Sequence, residues 1–502
     1  MHFFHYNALR LKSWLVSLLV YSCLYLPPAH AQHNTPIVKT RQGKVQGVQE
    51  GGLRVFRGIP YALPPVGALR FRPPQPLKRH AGTVAATQFG AKAMQADGPE
   101  GVQGSEDCLY LNVWAPQVPR KRPRPVVVWV HGGAFTGGSG QDNDIWTFAA
   151  QDTLVAVSLN YRLGSLGFLQ LGNRLGPGYE QAGNCGLLDA VAALRWVHEN
   201  IAAFGGDPAR VTVMGESAGA KLIGGLLVTP AALGLFQQVI LESGSVQAVR
   251  DTANAGAVTR QLLQALRLPD ARALLTLPAD SLVRAQARFT SGAGGLQVFG
   301  PVLDGPTIPR PPLEFLSQRR PAVRVLLGTN REEARLFSGP GSVLHAPNEA
   351  ALQLVFGSKN SSYVWQAYQQ LSRTQPPQEA WNTVLTDYLY RLATYRLANQ
   401  LAAQGAPTWL YRFDYADATT RPMHAQELAF VWNAPGKASN PALAALMHAH
   451  WAQFIKTGQP GPDWPAYTPT RREVMVFQGI SQPEAGATPY EDPTFPMQGY
   501  RR

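Results

Sequence analysis

The sequence predicts an α/β fold, with a central, mostly parallel, twisted sheet flanked by helices and carrying cap-like helical insertions. Three observations carry this reading. Short runs rich in β-branched residues alternate with stretches of helical period. The runs are almost continuously apolar, as strands covered on both faces must be. Finally, Val211 to Met214 leads directly into Gly215-Glu216-Ser217-Ala218-Gly219 and then into residues that can be helical. That is a G-x-S-x-G turn in strand-then-helix context.

Taken in order, the chain begins with a segment to be set aside. Arg10 and Lys12 precede an uncharged, mostly apolar run from Trp14 to Leu26, and Ala29-His30-Ala31 offers a cleavage site. The apolar run is too short to span a bilayer comfortably, so residues 1–31 are expected to be a signal peptide cleaved near Ala31. The mature chain is then periplasmic or secreted. No later segment reaches transmembrane length, and no stable membrane insertion is expected. Residues 32–115 hold shorter strand candidates and many prolines, consistent with an antiparallel N-terminal edge. The clearest strands follow at Val126 to Val130, Leu154 to Leu159, Val211 to Met214, Val239 to Leu241 and Val323 to Leu327. Leu187, Val191 and Leu194 lie at helical spacing within Leu187 to Val197. Residues 250–400 contain long helical stretches, such as Gly256 to Leu268 and Trp381 to Gln404, read as insertions around a site. Trp409 to Phe413 and Val474 to Phe477 are later strands.

Composition supports one large domain over residues 32–502. Of the 502 residues, 45% are hydrophobic and 15% charged, the balance of a globular chain with a sizeable core. The 41 prolines and 48 glycines are dispersed, without a long linker. The formal charge is +13, of which residues 1–31 contribute two cations and no acid, leaving +11. Its densest cluster, Arg120-Lys121-Arg122-Pro123-Arg124, is read as solvated loop surface. No nucleic-acid-binding motif accompanies it, so no nucleic-acid partner is expected. Cys23 leaves with the first segment, and Cys108 and Cys185 are expected to be buried free thiols.

The unusual residues fall just after strands. His131-Gly132-Gly133-Ala134 follows one, Ser217 a second and Asn330 to Glu333 a third, and open α/β sheets bind ligands beyond such carboxyl ends. A serine on this kind of turn is held in strained backbone with its hydroxyl projecting. As a nucleophile it needs an adjacent base. His345, His424, His448 and His450 follow it in sequence. His448 and His450 belong to a helix-like run, Pro441 to Phe454, whereas His424 lies in a loop after Pro422.

These features lie among ordered blocks: FRGIPYALPPVGALRF (56–71), SEDCLYLNVW (105–114), HGGAF (131–135), NYRLGSLGFL (160–169), FGGDPARVTVMGESAGA (204–220), TNREEARLF (329–337) and HAQEL (424–428). In them the chain closely resembles the type-B carboxylesterases, the esterase and cholinesterase branch of the α/β-hydrolase fold. The resemblance implies Ser217 as nucleophile, His424 as base and Glu333 as the acid that orients it, with Glu332 the neighbouring rival and Asp304-Gly305 a turn. It implies an oxyanion hole made by the N–H groups of Gly133, Ala134 and Ala218, with Glu216 and Ser243 supporting the triad and His131 packing the loop. The implied activity is hydrolysis of a small-molecule carboxylic ester through an acyl-enzyme, with no cofactor and no metal. Neither an H-E-x-x-H pattern nor a zinc-like cysteine spacing is present. Related serine hydrolases acting on amides, carbamates or thioesters share this chemistry, and some relatives are non-catalytic binding modules.

Three departures narrow the reading. Ala334 stands where the family usually has glycine. Ala93-Met94-Gln95 replaces the family's upstream cysteine, so Cys108 lacks that partner. Residues 95–107 contain no aromatic side chain for a quaternary ammonium, so choline esters are not expected substrates. The Asn360-Ser361-Ser362 sequon is expected to be unmodified.

Overall fold

The computed structural model describes residues 35–98, 101–118, 122–319 and 322–485. The predicted signal peptide lies outside the described residues, as do Arg120 and Lys121. Eleven strands form the main sheet: β1 Val48–Glu50, β2 Leu53–Pro60, β3 Tyr110–Pro116, β4 Arg124–Val130, β5 Val155–Leu159, β6 Gly206–Glu216, β7 Gln238–Glu242, β8 Arg324–Asn330, β9 Thr408–Phe413, β10 Val474–Phe477 and β11 Gln482–Glu484. Their order across the sheet is β11-β10-β9-β8-β7-β6-β4-β5-β3-β2-β1. All pairings from β5 through β4, β6, β7, β8 and β9 to β10 are parallel. The N-terminal strands pair antiparallel, as does β10 with β11.

Alternation along the strands divides the core. Val126, Val128 and Val130 of β4 pack on the face covered by α1 (Cys185–Asn200), whose Leu187, Val191 and Leu194 join them. Val127 and Trp129 face the opposite side, against Met447, Trp451 and Ile455 of the helix Pro441–Thr457. Each such aliphatic side chain contributes about 1.5–3 kcal/mol when fully removed from water. A third apolar cluster, including Leu352, Phe356, Trp381 and Leu389, lies within the helical insertion. Cys108 and Cys185 are buried and free. No helix among the described residues is long and apolar enough to cross a membrane.

Some elements differ from the sequence expectation. Strand β6 begins at Gly206, ahead of Val211, because Gly206 pairs with Arg124 across a register shift. Arg124 is therefore no solvated loop residue; it opens β4 and is buried. The helix expected over Trp381 to Gln404 divides into Pro377–Thr386 and Leu392–Ala403, joined by a π-helical turn at Asp387–Arg391. Arg391 braces that turn, pairing with Asp387 and donating to the carbonyl of Arg331 at 2.9 Å.

Candidate active site

Strand β6 ends at Glu216, and α2 (Ala218–Leu226) starts immediately after Ser217. The turn forces Ser217 to φ 56° and ψ −119°, a conformation that costs a non-glycine residue about 1–3 kcal/mol. Its N–H donates to Glu242 O at 2.8 Å, and its carbonyl accepts from Lys221 N at 2.9 Å. Close packing explains the flanking glycines. A Cβ at Gly219 would lie 2.0 Å from Val130 O, and one at Gly215 would lie 2.7 Å from the same oxygen.

The structure brings Ser217, His424 and Glu333 together from three separate elements. Ser217 Oγ is 2.8 Å from His424 Nε2, and His424 Nδ1 is 2.7 Å from Glu333 Oε2. A carboxylate only accepts, so Nδ1 carries the proton and Nε2 is left to accept from the hydroxyl. Glu333 is fully buried and takes further bonds at Oε1 from Ser243 Oγ (2.6 Å) and Asn330 N (2.8 Å). The rings of Tyr390 and Phe337 flank the imidazole, with centroids 4.6 and 5.2 Å away. The π-helical turn supplies Tyr390.

Beside Ser217 lies the turn after β4. Gly133 has φ 104° and Ala134 φ 53°, and a Cβ on Gly133 would sit 2.2 Å from Gly137 O. The N–H groups of Gly133, Ala134 and Ala218 donate to no group among the described residues. Ala334 is accommodated without positive φ, its N–H donating to Thr386 Oγ1 at 3.1 Å.

A cluster of buried acids surrounds this relay. Glu216 Oε1 lies 3.1 Å from His424 Nε2 without hydrogen-bond geometry. Burial, and then repulsion by Glu333, push the Glu216 carboxyl well above its ordinary range. Burial with repulsion by Glu216 and Glu333 raises Glu427 to about 8. Glu427 accepts from Asn330 Nδ2 and lies 3.4 Å from Ser243 Oγ, whose single proton goes to Glu333. Asn330, Glu427 and Tyr390 were assigned no role from the sequence. The HAQEL block that holds His424 was the signal available for Glu427.

The rival residues are occupied elsewhere. Glu332 pairs with Arg335, with Arg331 at 2.9 Å and with Arg421 at 3.7 Å. Asp304 accepts from Thr307 N and Ile308 N in a turn. His345 Nδ1 lies 3.1 Å from Ser338 O, and His450 Nδ1 2.8 Å from Pro460 O. His448 bonds Val431 O and Asp152, each at 2.7 Å. His131 stacks on Tyr161, and burial lowers its pKa to about 4.

A mainly parallel sheet that carries such a hydroxyl, imidazole and carboxylate on its strand ends has the architecture of an α/β-hydrolase. Residues 34–488 match the model of the carboxylesterase family, so the chain belongs to that family and is a carboxylic ester hydrolase acting on small-molecule esters. It is similar to the para-nitrobenzyl esterase of Bacillus subtilis (strain 168), 37% identical over 473 residues that span 88% of this chain and 94% of that protein. It is also similar to the phenmedipham hydrolase of Pseudarthrobacter oxydans, 34% identical with 88% and 94% covered. Among solved structures, a Geobacillus stearothermophilus carboxylesterase aligns with a TM-score of 0.80 at 37% identity, over 90% of this chain and 98% of that one.

Proposed function

We propose that the chain is an exported serine carboxylesterase whose catalytic triad is Ser217, His424 and Glu333. The observation that carries this is the continuous hydroxyl–imidazole–carboxylate contact beside three undonated amides. His424 takes the Ser217 proton as Oγ attacks the ester carbonyl. The oxygen then becomes an oxyanion held by the N–H groups of Gly133, Ala134 and Ala218, where removing one donor typically costs about 10²–10³ in rate. His424 passes the proton to the leaving alcohol. Water, activated in the same way, attacks the acyl-enzyme, releasing the acid and regenerating Ser217. Glu333 fixes the tautomer and stabilises the imidazolium without accepting its proton. Glu216 and Ser243 support the imidazole and the carboxylate.

An open cleft of about 820 Å³, lined by Phe289, Leu296, Leu336 and Phe337 among others, reaches the ring that flanks His424 and suits an apolar part of a substrate. The signal-like residues 1–31 support export to the periplasm or beyond, with residues 32–502 as one mature domain. Short-chain 4-nitrophenyl esters provide the test. Wild type is expected to show acylation of Ser217 by intact-protein mass spectrometry, and Ser217→Ala to lose both adduct and turnover while keeping its fold. Full turnover by the folded Ser217→Ala variant would falsify the assignment. Matched aryl ester, anilide and carbamate substrates separate an esterase from its serine hydrolase relatives.

A further inference from the structure

Helix α2 reads AGAKLIGGL, and Lys221 is its one polar side chain. It is 3% exposed. A buried ammonium is strongly disfavoured unless paired, yet Lys221 makes no side-chain hydrogen bond or ion pair among the described residues. Its Nζ lies over the ring of Tyr390, 5.0 Å from the centroid. Unlike the enclosed orphan Glu216 Oε1, the ammonium is not sealed off.

Its position is close to the reacting groups. Lys221 is one helical turn after Ser217, to whose carbonyl its N–H is bonded, and helical side chains lean back toward the helix N-terminus. The Tyr390 ring below the ammonium lies 4.6 Å from the His424 ring. Burial lowers the lysine to about 8, against the attraction of Glu216 and Glu333, so the cation predominates at neutral pH. Glu333 already has donors from Ser243, Asn330 and His424 and does not need this one. The net charge of +11 left after residues 1–31 are set aside also draws anions toward it.

We propose that Lys221 is a specificity-determining residue that pairs with a carboxylate carried by the substrate, so that the preferred esters are anionic, with the carboxylate close to the ester carbonyl. The inference rests on the esterase reading above. A neutral ester leaves the ammonium desolvated and unpaired, which selects against it.

Two chromogenic pairs test this in the mature enzyme. On the acyl side, 4-nitrophenyl monoadipate is compared with its methyl ester. On the alcohol side, the acetate of a carboxy-nitrophenol is compared with the corresponding methyl carboxylate. Wild type is expected to prefer the charged member of one pair by about tenfold or more in kcat/KM, as desolvated ion pairs at binding sites do. That pair identifies which portion bears the anion. Lys221→Met should abolish the preference and Lys221→Arg should keep part of it, and general damage to the fold lowers both members together without changing their ratio. Independently, adipate should inhibit wild type competitively and adipamide should not. Charged-to-neutral ratios near one in wild type, a ratio unchanged in Lys221→Met, or equal inhibition by adipate and adipamide overturns the inference. The esterase reading itself fails only if wild type cleaves none of the four esters, or if Ser217→Ala cleaves them as well as wild type.

Discussion

His424 and His448 are both buried and both touch a carboxylate, yet they call for opposite expectations. His424→Ala removes the base, and kcat/KM on a short aryl ester should fall by about 10³-fold or more. His448→Ala leaves Asp152 short of one partner and opens space against Phe148. Its expected effect is a lower thermal midpoint with turnover per folded molecule unchanged. Equal kinetic losses at the two positions would mean that the base is misassigned. Glu427 bears on stability through its proton. Its carboxyl is raised from 4.5 to about 8 by burial and by Glu216 and Glu333, so between about pH 4.5 and 8 the native state holds a proton that the unfolded chain releases. Stability therefore falls as pH rises through that window. Glu427→Gln cannot ionise, and its thermal midpoint should decline less between pH 5 and 8 than that of wild type. Parallel curves would show that Glu427 holds no extra proton when folded. Neither Glu427 nor Lys221 was legible as a buried ionisable group in the sequence, because burial of one side chain depends on which distant loops close over it. A lysine inside a stretch of small and apolar residues was the only hint.

At the level of elements, the turn around Ser217 and helix Pro441–Thr457 make separate predictions. Gly219→Ala would place its Cβ 2.0 Å from Val130 O, a backbone atom that cannot swing away. It should cost about 3 kcal/mol in chemical denaturation, at the upper end for overpacking, and should remove esterase activity. Asn440 caps the other helix, its side chain accepting from Leu443 N at 3.1 Å. Asn440→Ala should cost about 1 kcal/mol and leave activity intact. The parallel strands were readable because burial on both faces leaves an unbroken apolar run. The G-x-S-x-G turn was readable because its glycines answer to backbone contacts with a neighbouring strand. The π-helical turn was not. Asp387 to Arg391 carry ordinary helix-forming side chains, and what distinguishes the segment is the bond from Arg391 to the remote carbonyl of Arg331.

For the molecule as a whole, the absence of a disulfide among the described residues and the predicted loss of the first segment meet in one measurement. Burial pushes both remaining thiols up, Cys185 to about 12, so the native enzyme should resist alkylation. After denaturation a chain cleaved near Ala31 should take up two labels, whereas retention of residues 1–31 would expose Cys23 and give three. Intact mass reads both results, and rapid labelling of the native enzyme would show that the thiols are accessible. The fold class and the spatial meeting of strand tips followed from the order of motifs along the chain. The fit of the helical insertion did not, since it is set by packing between side chains far apart in sequence. That insertion has a consequence of its own. Because Leu352, Phe356, Trp381 and Leu389 pack on one another in a cluster distinct from those of the sheet, while the same insertion presents Tyr390 to the His424 ring, exchanging it between relatives offers a route to altered selectivity that acts at the edge of the reactive centre.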